Sequence, residues 1–271
     1  MSIKADQRMR DRVNAADALA QAERTRVPVP LLSVSYPYFD VTDAYEVQLI
    51  NARNRVAAGA TIRGHKVGLT NNVVRRQAGL SEPDYGHLFD DMFLHDGDSV
   101  ATSQFCTMLG VEIELAFVLE RPLKGPSVSV ADVLRATAFI IPAIEIVDSR
   151  YIRNGPNKFS IIDTIADNAG CARIVVGGHA TNVIGLDLRT IGGVLRRNGT
   201  IVDTGATASV LGNPAISVAW LVNKVAEFDI GFEPGHVILS GSCVKILRGI
   251  HAGDVITADF DQLGHVAIRF T

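Results

Sequence analysis

Cysteine is scarce in this chain. Cys106, Cys171 and Cys243 stand far apart with no C-x-x-C pair, so neither a disulfide framework nor a sulfur-ligated zinc site is encoded, and a reducing cytoplasm is the expected compartment. A surplus of positive charge is missing as well. Lysine and arginine total 26 against 29 aspartates and glutamates, a net charge of −3. That balance supplies no broad field for a phosphate backbone, which excludes nucleic acid as the expected partner. No stretch approaches the roughly 18 uninterrupted apolar residues of a membrane span, and the opening MSIKADQRMRDRV is polar where a signal peptide would be apolar; no membrane partner is expected. No G-x-G-x-x-G follows a strand and no G-x-x-x-x-G-K-[ST] exists, so a nucleotide cofactor has no cradle. The seven histidines lack H-x-x-x-H spacing and are expected at the surface or in loops. Ser242 lacks the G-x-S-x-G elbow of a serine hydrolase.

What remains is a globular composition: 271 residues, 47% hydrophobic, with 24 Gly and 10 Pro. Residues 8–25 carry Val13, Ala16, Leu19 and Ala20 at helical spacing, and Tyr45, Leu49, Ala52 and Val56 mark a second helix, with Asp43 and Glu46 as its capping box. From Thr61 onward the pattern changes. Ile62–Leu69, Val111–Leu119, Phe139–Val147, Ile174–Val176, Val237–Ser240, Val255–Phe260 and His265–Phe270 are short Val- and Ile-rich runs that predict strands. Asn198-Gly199 inside Val194–Val202 suits a type I′ hairpin turn. Asn213-Pro214 opens an amphipathic helix with Ala215, Val218, Val222 and Val225 as its apolar stripe, and Trp220 and Phe228 as core. The Gly177-Gly178 and Gly192-Gly193 pairs are expected as turns. The fold class is therefore α+β: a helical N-terminal segment over 1–60 and a strand-rich, mostly antiparallel mixed-β domain over 61–271, without the strand-helix alternation of a doubly wound sheet.

Chemistry concentrates in three places. On a strand, Glu112 and Glu114 share one face, roughly 7 Å apart at Cα, which is either a wet face or a site. Glu145 sits in the otherwise apolar run Phe139–Val147, where an ionised carboxylate requires a cation or a proton. If the two strands are neighbours, three carboxylates converge, and oxygen-only ligands favour Mg²⁺ or Mn²⁺ over zinc. Lys66, between Gly64 and Gly68, is either an edge-strand lysine or a group for an anionic substrate, as counter-charge or as an acid/base with lowered pKa.

Five ordered segments carry a resemblance: Gly64-His65-Lys66-Val67-Gly68-Leu69-Thr70, Glu82-Pro83-Asp84-Tyr85-Gly86, Val111-Glu112-Ile113-Glu114, Pro142-Ala143-Ile144-Glu145 and Asp163-Thr164-Ile165-Ala166-Asp167-Asn168. Together with Leu211-Gly212-Asn213-Pro214 and Gly241-Ser242, they resemble the 2-hydroxyalka-2,4-dienoate (2-oxopent-4-enoate) hydratases and 4-oxalocrotonate decarboxylases of the fumarylacetoacetate hydrolase superfamily. The resemblance implies a distorted mixed β-barrel or roll of the fumarylacetoacetate hydrolase C-terminal type behind a small helical N-terminal segment. It implies Mg²⁺ or Mn²⁺ on Glu112, Glu114 and Glu145, catalytic roles for Lys66 and Asp84, and substrate contacts from Thr164, Ser242 and Leu88. It implies a cytoplasmic homo-oligomer, with a partner enzyme of the same pathway as a further expectation. The expected activity is that of a lyase: a hydratase adding water to a 2-hydroxy-2,4-dienoate to give a 4-hydroxy-2-oxo acid in meta-cleavage catabolism of aromatics or steroids, with 4-oxalocrotonate decarboxylation as the alternative. An acylpyruvate hydrolase lacks its Glu-His dyad here, and a non-catalytic subunit would not keep Lys66 and the three glutamates. The segment 149–159 departs from the hydratase pattern. Asp148-Ser149-Arg150-Tyr151 is nearer to decarboxylases, and its two arginines, Arg150 and Arg153, are either a receptor for a second carboxylate or a solvated loop.

Overall fold

The computed structural model describes residues 2–77, 80–107, 109–153 and 159–271. Three helices come first: α1 (Ser2–Thr25), α2 (Leu32–Ser35) and α3 (Val41–Ala57). The strand-rich part then runs β1 (Ile62–Gly68), α4 (Asn72–Gln77), β2 (Asp84–Phe89), β3 (Phe93–His95), β4 (Ser99–Val100), β5 (Gly110–Leu119), α5 (Val130–Ala136), β6 (Thr137–Val147), α6 (Ile161–Ala166) and β7 (Cys171–Val176). It closes with β8 (Gly192–Arg197), β9 (Thr200–Ala206), α7 (Pro214–Val225), β10 (Val237–Ser242), β11 (Val255–Phe260) and β12 (Gly264–Phe270).

Two sheets result. A seven-stranded, half-barrel sheet has the order β2-β1-β10-β5-β6-β7-β3, and a five-stranded sheet the order β4-β12-β11-β8-β9. Most pairs are antiparallel; β1/β10, β3/β7 and β4/β12 are parallel. One face of the large sheet carries Val67, Ile113, Leu115, Phe117, Ile144 and Ile238, all buried. Helix α7 and the strands β11 and β12 pack on elements of this sheet, and the apolar side chains they bury there form the main core, the dominant favourable contribution to folding. The opposite face carries the polar residues described below, so the two-residue alternation of the strands separates core from chemistry.

Local rules account for several ends. Asn213 caps α7 through Ala215 N–H at 2.9 Å, with Pro214 at its first position. Asn198 and Gly199 both have positive φ, 52° and 80°, as a type I′ turn between β8 and β9 demands. Three expectations are corrected. The capping box of α3 is Asp40 with Asp43, one turn before Asp43 with Glu46: Asp43 N–H donates to Asp40 at 3.1 Å and Asp40 N–H to Asp43 at 2.8 Å. Asp43 is drawn inward because Arg8 and Arg12 of α1 both bind its carboxylate. Gly192 and Gly193 begin β8 rather than forming a turn, since they pair with Ala206 and Gly205 of β9 and Gly193 also with Phe260 of β11; Gly193 is glycine because a side chain there would strike Cys243 Sγ, at 2.7 Å. His65 and His87 are buried, not superficial. Burial pushes His87 down to about 4 and His65 well below the usual imidazole range, so both are neutral within the packed face. Trp220 and Phe228 are partly buried at the edge of the core. Among the described residues, no helix is long and apolar enough to cross a membrane.

Asp43 joins two helices and a cap. Burial alone would raise its pKa, but Arg8, the Asp40 N–H and Arg12 outweigh that and hold the carboxyl at about 2. D43A removes the cap, leaves the Arg12 guanidinium without its carboxylate and leaves Arg8 with Asp40, so it is expected to cost about 2–3 kcal/mol in denaturant unfolding, whereas E46A should cost under about 0.5 kcal/mol.

Candidate active site

Strand register assembles the site. Strand β5 pairs with β6 so that Glu112 lies opposite Glu145 and Glu114 opposite Ala143. Paired residues share a face, so all three glutamates project to the same side. Strand β10 pairs with β5 and with β1, which sets Lys66 beside Leu239 and Leu239 beside Ala116, on that same side. Strand β2 pairs with β1 and puts Asp84 opposite Gly68. The ligand oxygens of Glu112, Glu114 and Glu145 come within 4.8 Å of one another, and Lys66 Nζ stands 3.2 Å from Glu145 Oε1.

The electrostatics are those of an incomplete charge balance. The Gly241 N–H donates to Glu114 at 2.6 Å. Both oxygens of Asp84 are buried without a hydrogen-bond donor, and Glu145 Oε1 is held chiefly by the Lys66 ammonium at 3.2 Å. Burial and the neighbouring Glu145 raise Glu112 to about 7 and Glu114 well above the usual carboxylate range; Lys66 opposes this without cancelling it. Burial also raises Asp84 to about 6 against the pull of Lys66. For Lys66 itself, burial disfavours the ammonium, yet Glu145 and Asp84 outweigh it and raise the pKa. That direction runs against the lowered-pKa alternative for Lys66 and with its role as counter-charge. A donor set of oxygens alone, partly unpartnered, in a space this small fits a hard divalent cation, and three protein ligands leave positions for substrate or water.

A cavity of about 600 Å³ opens above these groups. It is lined by Gly68, Thr70, Glu112, Glu114, Ser242 and Arg248, among others. Ser242 sits on the wall, its hydroxyl donating to Val244 O at 3.0 Å. Lys66, Asp84 and Glu145 lie beneath, with Asp84 Oδ1 against Gly68, where a Cβ would stand 2.2 Å away. That approach explains the second glycine of the Gly64–Thr70 segment. Thr164 and Leu88 are not on the wall. Thr164 donates to Ser160 O at 3.3 Å within α6, and Leu88 is fully buried in an apolar cluster with Ala116, Ile141, Ala143 and Leu239, on the face of the glutamates and Lys66 but within its packed part.

The Asp163–Asn168 segment has a different task. Asp163 accepts from Ser33 N–H at 2.9 Å and from its hydroxyl at 2.8 Å, while Asp167 binds Arg150 through side chain and backbone. Asn168 grips β2: His87 N–H donates to it at 2.7 Å and its amide donates to His87 O at 2.9 Å. Gly86 admits this contact, since a Cβ there would lie 2.4 Å from Asn168 O. These acids and amides therefore brace the strand that carries Asp84. Arg150 is buried on Asp167 and does not line this cavity. Arg153 stacks over Phe159 at 3.8 Å, and 154–158 of that polar segment lie outside the described residues. Sequence reasoning passed over Arg248, Lys245, Asn71 and Asp203, which all line the cavity. Arg248 has only its charge as a signal, one among 26 cations.

A family model described as "Fumarylacetoacetate (FAA) hydrolase C-terminal" matches residues 55–271. The chain belongs to the fumarylacetoacetate hydrolase family. Within it, the chain is 42% identical over 258 residues to a 2-oxo-hept-4-ene-1,7-dioate hydratase of Escherichia coli, covering 94% of this chain and 96% of that one. It is 39% identical to a 4-oxalocrotonate decarboxylase of Pseudomonas sp. (strain CF600), over 96% and 97% of the two chains. A solved fumarylacetoacetate hydrolase-type structure, 4-oxalocrotonate decarboxylase from Pseudomonas putida G7 complexed with magnesium and adipate, superposes with a TM-score of 0.91 at 35% identity over 97% of this chain and 98% of that one.

Replacing Asn168 by Ala leaves the N–H and carbonyl of His87 without partners. The expected cost is about 2–4 kcal/mol in urea or guanidinium unfolding, with N168D recovering part of it by keeping the acceptor.

Proposed function

We propose that the protein is a divalent-metal-dependent lyase, a hydratase that adds water to a 2-hydroxy-2,4-dienoate to give a 4-hydroxy-2-oxo acid. The observation that carries this is the convergence of Glu112, Glu114 and Glu145 within 4.8 Å beside Lys66, under a cavity of about 600 Å³. Similarity to a hydratase over nearly the whole of both chains supports the reaction type. The three glutamates would hold Mg²⁺ or Mn²⁺. A cation there supplies Lewis acidity toward the C1 carboxylate and C2 oxygen of a 2-oxo acid.

The chain's own groups then divide the remaining work. Lys66, fixed as an ammonium, offsets carboxylate charge below the substrate and stabilises negative charge that develops at the enol oxygen. Asp84, raised to about 6 by burial, exchanges a proton near neutral pH and is the general base for the water added at C4. Ser242, on the cavity wall, presents a hydroxyl to bound substrate. The apolar cluster of Leu88, Ala116 and Leu239 on the same face lowers the local dielectric, which strengthens the charge contacts at Lys66 and Glu145. Decarboxylation of 4-oxalocrotonate is the second reading, favoured by the superposition on such a decarboxylase at a TM-score of 0.91. It uses the same electron withdrawal toward C2.

Incubation of the Mg²⁺- or Mn²⁺-loaded protein with 2-hydroxypenta-2,4-dienoate and with 4-oxalocrotonate separates the readings: loss of dienol absorbance without CO₂ means hydration, release of CO₂ means decarboxylation. E112Q and E145Q are each expected to lower turnover at least about a hundredfold. Full activity after exhaustive chelation would refute the proposal. Metal binding should also be proton-linked. Because Glu112 sits at about 7 without metal, protons compete below neutrality, and calorimetry should find Mn²⁺ bound at least about tenfold more tightly at pH 8 than at pH 6, with proton release.

A further inference from the structure

Arg75 is the buried residue of an otherwise exposed short helix. On α4, Asn72, Val73 and Arg76 face solvent, whereas Arg75 is 9% exposed. Burying a guanidinium is costly unless its donors are satisfied, and among the described residues its partners are all oxygens of neutral groups. Its Nη1 donates to Leu69 O at 2.8 Å and, more weakly, to Thr70 O at 3.4 Å, and its Nη2 donates to the Asn72 side chain. The guanidinium therefore clamps the turn by which the chain leaves β1. That turn needs a clamp, because Leu69 has a φ of 57°, a left-handed conformation that a leucine keeps only where its surroundings hold it.

The clamped turn reaches the glutamates in two steps. Thr70 is buried and its side chain presses on Gly241, where a Cβ would stand 2.2 Å from Thr70 Oγ1 and 2.5 Å from its Cγ2. Gly241 has a φ of 108° and lies where the β10/β5 register shifts, between Leu239 and Ser242. Its N–H turns to a side chain instead of the neighbouring strand, donating to Glu114 Oε2 at 2.6 Å. A main-chain donor orients a carboxylate only as well as its own strand is held, and Thr70 holds this one from the β1 side. The Thr70 carbonyl is fixed in addition by the Leu211 N–H at 3.2 Å.

We propose that Arg75 is a positioning residue for the cation site: by clamping the Leu69–Thr70 turn it seats Thr70 against Gly241, and so aims the N–H that orients Glu114. This rests on the reading of the three glutamates as ligands of a divalent cation. Leu69 and Thr70 line the cavity with Glu112 and Glu114, but Arg75 does not, so it acts on a ligand through the backbone rather than on substrate. Groups that orient a ligating side chain contribute about tenfold to a hundredfold in metal affinity. Arg76 supplies the control, carrying the same charge on the exposed side of α4.

Mn²⁺ affinity, measured by calorimetry at pH 8 on wild type, R75Q, R75K, R76Q and T70A, tests this, with urea unfolding of each metal-free protein alongside. R75Q and T70A should each bind Mn²⁺ about tenfold to a hundredfold more weakly, R75K should recover part of the loss, and R76Q should bind as wild type. The double variant R75Q/T70A should fall no more than about threefold below the weaker single variant, because both act through one contact. A loss of stability in R75Q with wild-type Mn²⁺ affinity would overturn the proposal, as would losses in R75Q and T70A that multiply. If R75Q does not fold, R75K carries the test, with a loss of about threefold or more expected and wild-type affinity as the refutation. If wild type binds no Mn²⁺, the metal reading fails by itself, and hydrogen exchange in the metal-free proteins decides the role of Arg75. The Gly241 amide should then exchange at least about tenfold faster in R75Q than in wild type, with the amides of β11 and β12 unchanged. Equal exchange at Gly241 would refute the clamp.

Discussion

Three carboxylates held within 4.8 Å of one another, with one lysine ammonium to oppose them, form an arrangement that a folded chain tolerates only if something else makes up the charge. Glu112 and Glu114 answer by taking up protons more readily than a free carboxylate does, and Lys66 by becoming harder to deprotonate. Much of the surrounding structure holds that tension in place. The β5/β6 register brings Glu145 opposite Glu112, β10 offers the Gly241 N–H to Glu114, and Gly68 leaves room for Asp84 beside the lysine.

The support for this centre comes from far along the chain. Asp163, Asp167 and Asn168 bind α2, Arg150 and β2 respectively, and Asp43 ties α1 to α3. These are buried polar contacts with charged or bidentate character, the kind that specify one arrangement among many apolar packings. The Asp163–Asn168 segment reads like a piece of the active site, and its hydrogen bonds brace the strand that presents Asp84.

Both signs of charge meet in the cavity wall, where Glu112, Glu114 and Asp203 stand together with Lys245 and Arg248. A lining of mixed sign favours a ligand whose own charges complement it.

Residue order alone determined a good deal. Alternation along Val111–Leu119 put Glu112 and Glu114 on one face, Asn198-Gly199 fixed a hairpin, Asn213-Pro214 fixed a helix start, and the ordered segments from Gly64 to Asn168 carried the family. All of these are local, set by the two-residue and 3.6-residue periods or by the φ angles of single residues. Only the tertiary structure decided that Asp40 rather than Asp43 caps α3, that β2 is a strand despite its polar residues, that Lys66 stands beside Glu145, that Thr164 and Leu88 stand off the cavity wall, and that Arg150 turns inward onto Asp167 while Arg248 lines the cavity. Those outcomes depend on strand register, on burial and on which charges become neighbours across a hundred residues or more. Such quantities arise from the balance of packing and desolvation over the whole chain, and no window of sequence contains them.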